Sequence, residues 1–331
     1  MFVEVSFFGA SIEGHNTGSK ETSERSHHSS RVGVLLDIGS FSTPKGLLEW
    51  IVSKIDPELG EFRNPRNNTH IVFNKEMVVK ALGLPRGTRP VVLTGDHEES
   101  PHRDFYRIRY KTAGMRSPIY YAEHLLENDE LDDETWFRTF YLVVIGRYFF
   151  PGTSSMLPLE YLGSLGDSKL VCEYDWADQI FRHTMSGIKC FQERCRKAKK
   201  AGNTNPLWAG GCLPWIAIVY MDHLDFPVST LSTHRINDAI PRASNISDAD
   251  FMFVMKHDKN KLTLIPNTYG VRPFRPFNAT PYAVVDANLG NKDFEAPILP
   301  QPREAHPSHS GQDASQQHTT QTLSSPEVLF N

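Results

Sequence analysis

Two stretches of this chain leave no face free for solvent if they are helical. Residues 132–152, DDETWFRTFYLVVIGRYFFPG, are apolar nearly all round after Asp133. Residues 212–227, CLPWIAIVYMDHLDFP, are apolar from Leu213 to Met221. A helix that is apolar on every side must be covered on every side. The remaining chain therefore has to wrap around these two, and they are expected to lie side by side. A length of 331 residues, 39% of them hydrophobic and 22% charged, is enough for one large domain. The expected fold class is mainly α: a single helical domain with a few short strands and disordered termini.

Helical signals surround the two apolar runs. STPKGLLEWIVSKIDP offers Thr43 as N-cap and Pro44 as first helical residue, with Leu47, Leu48, Ile51, Val52 and Ile55 as one stripe. NKEMVVKALGLPRG has Asn74 as cap, Gly83 for a left-handed C-terminal position and Pro85 to prevent continuation. SPIYYAEHLLEN opens on Ser117-Pro118, and residues 175–200 form a long amphipathic helix facing inward through Trp176, Ile180, Phe181, Ile188 and Phe191. HIVF at 70–73 reads as a strand, with VVLTG at 91–95 as its expected partner. DFMFVMKHDKNKLTLIPN alternates on either side of Asp258-Lys259-Asn260-Lys261 and predicts a β-hairpin.

The ends have another composition. Residues 1–30 include a Ser-, Gly- and His-rich run, and residues 291–331 are similarly poor in apolar side chains. Such segments bury too little surface to offset the entropy of ordering, so both are expected to be disordered. The predicted organisation is a disordered segment 1–30, a helical module 31–240, an extension 241–290 carrying the hairpin, and a disordered tail 291–331. The N-terminus lacks the basic start of a secretory signal, and no run of about 18 apolar residues offers a membrane span. Four cysteines without a Cys-x-x-Cys pair fit a reducing compartment.

Chemistry-bearing motifs are sparse. Asp222, His223 and Asp225 draw the eye, but on a helix 222 and 225 share a face while 223 points about 100° away. Metal ligands would converge instead. Carboxylates near a helix C-terminus oppose its dipole, so at least one should find an arginine or a backbone N–H. Glycine-rich phosphate loops, a G-x-S-x-G elbow and H-E-x-x-H are missing, and no catalytic, cofactor-binding or metal-binding residue is assigned. Net charge is −4, which supplies no global field for nucleic acid. The local exception is Arg194, Arg196, Lys197, Lys199 and Lys200, a basic patch at the end of the long helix. It reads as a weak nucleic-acid contact, an import signal or a solvated helix end. Cys195 lies among these cations, which would lower its thiol pKa.

Four blocks in order carry a resemblance: RVGVLLDIGSFSTPKGLLEWIVSKIDPELGEF, IVFNKEMVVKALGLPRG, FRTFYLVVIGRYFFPGTSSMLPLEYLGSL and GGCLPWIAIVYMDHLDFP. Over roughly residues 31 to 240 the chain resembles the transposon-associated plant mobile domain group of grasses, often labelled "aminotransferase-like". The resemblance implies a helical, non-catalytic, transposon-derived interaction module, nuclear or otherwise cytoplasmic, linked to silencing or genome maintenance. Its expected partners are proteins, with weak nucleic-acid contact and with neither a membrane nor a small-molecule substrate. The same module also precedes SUMO-protease-type domains, which gives the alternative of a cysteine-peptidase relative lacking its catalytic part. No cysteine here is followed by glycine and no His-Trp pair occurs, as that nucleophile and base would need. Nor is there a pyridoxal-phosphate lysine motif to support the aminotransferase label.

Overall fold

Strand β1 (Phe2–Val5) pairs antiparallel with β2 (Phe41–Pro44), Phe2 opposite Pro44 and Val5 opposite Phe41. This corrects the expectation that residues 1–30 are disordered throughout: the first few form a sheet edge. The structure is a computed structural model and describes residues 2–5, 41–95, 101–109, 117–127, 131–151, 156–202, 210–263, 265 and 267–283. Most of the 1–30 segment and all of the 291–331 tail, including their expected disorder, lie outside the described residues.

Helix α1 (Lys45–Val52) follows β2 directly. Thr43 is therefore a strand residue, not the cap, and Pro44 precedes the first helical residue. The chain then makes a small antiparallel sheet of β3 (Ile55–Asp56), β4 (Glu61–Arg63) and β5 (His70–Val72), in that order. Ile55 leaves the expected helical stripe to pair with Phe62. The predicted HIVF strand exists, but it pairs with β4 rather than with 91–95. The short 64–69 connection brings β4 and β5 together locally, closed by a bond from Asn64 N–H to Thr69 C=O of 2.8 Å.

Helix α2 (Lys75–Leu82) forms as its ends dictate. The Asn74 side chain accepts from Met77 N–H at 3.0 Å, and Gly83 ends it at φ 72°, which a side chain would strain. Next come α3 (Pro101–Arg109), α4 (Ile119–Leu126) and α5 (Asp133–Val144). Asp132 caps α5, and the helix runs on as a π-helical turn, Ile145–Phe149. Short α6 (Leu162–Leu165) leads to α7 (Trp176–Lys200), which is capped by Asp175. Helix α8 (Leu213–His223) is buried at every position. Short α9 (Val228–Leu231) and α10 (Asp248–Asp258) complete the set. The chain is mainly α, and the described residues all fall within one compact unit, Met1–Val284.

Two expectations fail here. The 251–268 hairpin is instead helix α10 and a loop. Ser247 and Asp250 form a reciprocal capping box that starts the helix, and Phe251, Val254 and Asp258 point inward at helical spacing. The two apolar helices are also not chiefly each other's neighbours. Helix α8 packs mainly on α1 and α2, while α5 packs on α4. The reason lies in ring packing: Tyr220 of α8 meets Trp50 of α1 edge-on at 5.7 Å and Phe62 of β4 at 5.3 Å. Trp215 meets Phe73 at 5.5 Å and donates to Thr184 of α7 at 3.3 Å. Helix α7 is tied to the sheet by the Gln192 amide, which donates to Val52 and Ile55 C=O at 2.8 Å each.

Candidate functional site: a buried acid and a basic helix end

Asp222 sits in the last turn of α8, where the helix cannot satisfy a carboxylate from within. Arg242, fully buried, answers it in a two-pronged ion pair: Nε to Oδ2 at 2.8 Å and Nη2 to Oδ1 at 2.7 Å. Tyr282 Oη donates to Oδ2 at 2.7 Å. The remaining arginine donors go to carbonyls of Asn237 and, at 3.2 Å, Ala239. Burial weighs against the Arg242 charge, but Asp222 outweighs it and raises its pKa further. Burial, then the adjacent Asp222 charge, pushes the Tyr282 phenol well above its usual value. Lys80 of α2 closes the group by donating to Tyr282 C=O at 2.8 Å. Both carboxylate oxygens are thus occupied inside the protein, as a buried charge requires.

The neighbours diverge. His223 donates through Nδ1 to Val219 C=O at 2.7 Å and stacks on Tyr282, ring centres 5.8 Å apart. Burial holds its pKa below the ordinary value. Asp225 is exposed, and its backbone N–H bonds Pro273 C=O at 2.9 Å. The three residues that the sequence places together do not converge on one point. Among the described residues no group of three His, Cys, Asp or Glu side chains is arranged to hold a metal ion. The expectation that a carboxylate here finds an arginine is met by Arg242, which sequence reasoning did not name. A second acid, Asp258 at the end of α10, is bound in the same manner: Tyr220 Oη at 2.6 Å, Arg272 N–H at 2.8 Å and Gly270 N–H at 3.0 Å. Burial raises its pKa even so. None of these partners has a local sequence signal, because they come from 12 to 60 residues away.

The basic patch lies at the last turns of α7. Arg194, Arg196, Lys197, Lys199 and Lys200 are all exposed. Arg196 and Lys200 are one turn apart on one side, with Lys197 and Lys199 flanking them on either hand. Arg194 Nε bonds back to Cys190 C=O at 3.4 Å. Among the described residues Arg196, Lys197, Lys199 and Lys200 make no ion pair. The Cys195 thiol does not follow expectation. Partial burial against the core raises its pKa, and Arg194 only partly opposes this. Cys212, at the head of α8, is fully buried and its thiol is also pushed up by burial. Among the described residues no helix is long and apolar enough to cross a membrane.

A family model described as a domain of unknown function, DUF8566, matches residues 28–215. No curated protein and no solved structure matches the chain.

Proposed function

The chain belongs to the DUF8566 family of domains of unknown function, and we propose that it acts as a non-catalytic interaction module. One observation carries this reading: the acid that most invites a catalytic role, Asp222, has both oxygens bound by Arg242 and Tyr282 in the interior. A carboxylate bound in this way and shut off from solvent is not open to a substrate. The resemblance to plant mobile domains supports a mobile-element origin, a nuclear location and protein partners. The unpaired cations of α7 support weak, non-specific contact with nucleic acid, since phosphates are the natural partners of clustered Arg and Lys.

Fluorescence anisotropy of a labelled duplex across a salt series tests the nucleic-acid contact. Releasing up to five counterions gives a log–log slope of at most about −4.5. Changing Arg194, Arg196, Lys197, Lys199 and Lys200 to Gln should abolish the binding. Unchanged affinity in that variant would refute the patch, and a steep, sequence-dependent affinity would refute its weak, non-specific character.

A further inference from the structure

Helix α10 ends in a loop that returns to the body at residues 268–272. Its two ends are fastened inside the protein. The buried carboxylate of Asp258 accepts from Gly270 and Arg272 N–H, and Asn260 N–H donates to Thr268 C=O at 2.7 Å. The tip is shaped by its own polar side chains: Asn260 Oδ1 accepts from Leu262 N–H at 3.0 Å, and Thr263 Oγ1 from Ile265 N–H at 3.1 Å. Between these anchored ends Leu262 is 90% exposed and Ile265 70% exposed. The Leu262 and Ile265 N–H groups are bonded locally, yet both apolar side chains face outward and forgo the gain of burial.

Close to them along the chain lie the exposed Lys256, Lys259 and Lys261, and Arg272 follows where the loop returns to the body. None of them makes an ion pair among the described residues. Arg272 lies over the Phe226 ring at 5.9 Å, and its Nε donates to His257 C=O at 3.1 Å. The cations are close enough to act on one group: after burial, Lys256, Arg272 and Lys261 hold the His257 pKa down. Asp258, the one acid in this run, is turned inward and consumed. A cluster of unneutralised cations beside exposed apolar side chains calls for a partner with the opposite charge and its own apolar groups.

We propose that this loop is a docking surface for an acidic segment of a protein partner, whose apolar side chains cover Leu262 and Ile265 while its carboxylates pair with Lys256, Lys259, Lys261 and Arg272. A phosphate backbone would satisfy the cations and leave the two apolar side chains uncovered. A lipid surface would gain little from two side chains, given that even one myristoyl chain anchors only marginally. The inference rests on reading the chain as an interaction module, but it uses a different surface from the α7 patch.

The test uses the full chain and a panel of short fluorescent peptides in which Asp and Glu alternate with Leu or Phe. Matched peptides with Ser in place of Leu and Phe, vesicles of anionic and neutral phospholipid, and duplex DNA serve as comparison probes. The acidic apolar peptides should bind saturably, and the Ser-matched peptides about tenfold more weakly or worse. Leu262→Ser with Ile265→Ser should lose about tenfold in affinity. Lys256→Gln with Lys259→Gln and Lys261→Gln should flatten the salt dependence. These side chains are exposed, so both variants should keep the parent melting transition. The Gln variant of the α7 cations should bind the peptides as the parent does, which separates this surface from the nucleic-acid contact. No saturable binding by any peptide of the panel overturns the proposal. So does equal binding by the Leu262/Ile265 variant, or a loop-dependent affinity for duplex or vesicle that exceeds that for the peptides.

Discussion

At the scale of single residues, the molecule depends on charges hidden from water. Removing one partner of a buried ion pair leaves the other without compensation, which costs about 3–5 kcal/mol. Arg242→Ala should therefore lower unfolding stability by that order, measured by urea titration, and Asp222→Ala should do so comparably. His223 acts through pH. Its folded pKa lies below the unfolded value of 6.5, so the unfolded chain binds the extra proton more readily. The stability it contributes is present above that value and is lost as pH falls below 6.5. The urea midpoint should drop as pH is lowered from about 7 to about 5. His223→Phe keeps a ring against Tyr282 and should make that drop shallower; an unchanged slope would place the titration elsewhere, with His102, His183 and His257 sharing the same direction of shift. That at least one carboxylate at this helix end would find an arginine or a backbone N–H was legible, because such a carboxylate opposes the helix dipole. The partner's identity was not, because Arg242 lies 20 residues on, after an irregular segment.

At the scale of elements, legibility followed the local signals. Asn74 and Gly83 mark both ends of α2, and the amphipathic stripe marks α7 over its full length. Where two local readings competed, either tertiary context or a stronger local signal decided. Thr43 could cap a helix, but β1 reached it first as a strand partner. DFMFVM fits a strand by alternation and a helix by its buried Phe251, Val254 and Asp258; the Ser247–Asp250 box, readable in sequence, was the deciding signal. The strand pairing β4–β5 has no counterpart in composition, since pairing depends on which apolar face the core needs. Helix α8 is the strictest element. Ile218 is fully buried on it. Ile218→Asp should cost several kcal/mol, on the order of the whole stability. A soluble Ile218→Asp protein with a cooperative thermal transition would contradict the placement of α8.

At the scale of the whole molecule, the expected boundary at residue 240 cuts through one body. Residues beyond it supply Arg242 and Tyr282 to Asp222, Asp258 to Tyr220, and Tyr269 to Trp50 at 5.9 Å. A chain ended after residue 240 should fail to melt cooperatively, whereas one ended after 283 should melt as the full chain does, by circular dichroism. Cooperative melting of the shorter chain would restore 31–240 as an independent module. The burial of α8 on all sides also has a consequence in time. No fluctuation confined to one face can bring its backbone to solvent, because α1, α2 and the rings of Trp50, Phe62 and Phe73 cover it. Its amide protons can trade with deuterium only when the entire domain opens, so their exchange clock should run at the rate set by global unfolding, while those of the exposed 228–231 turn run free.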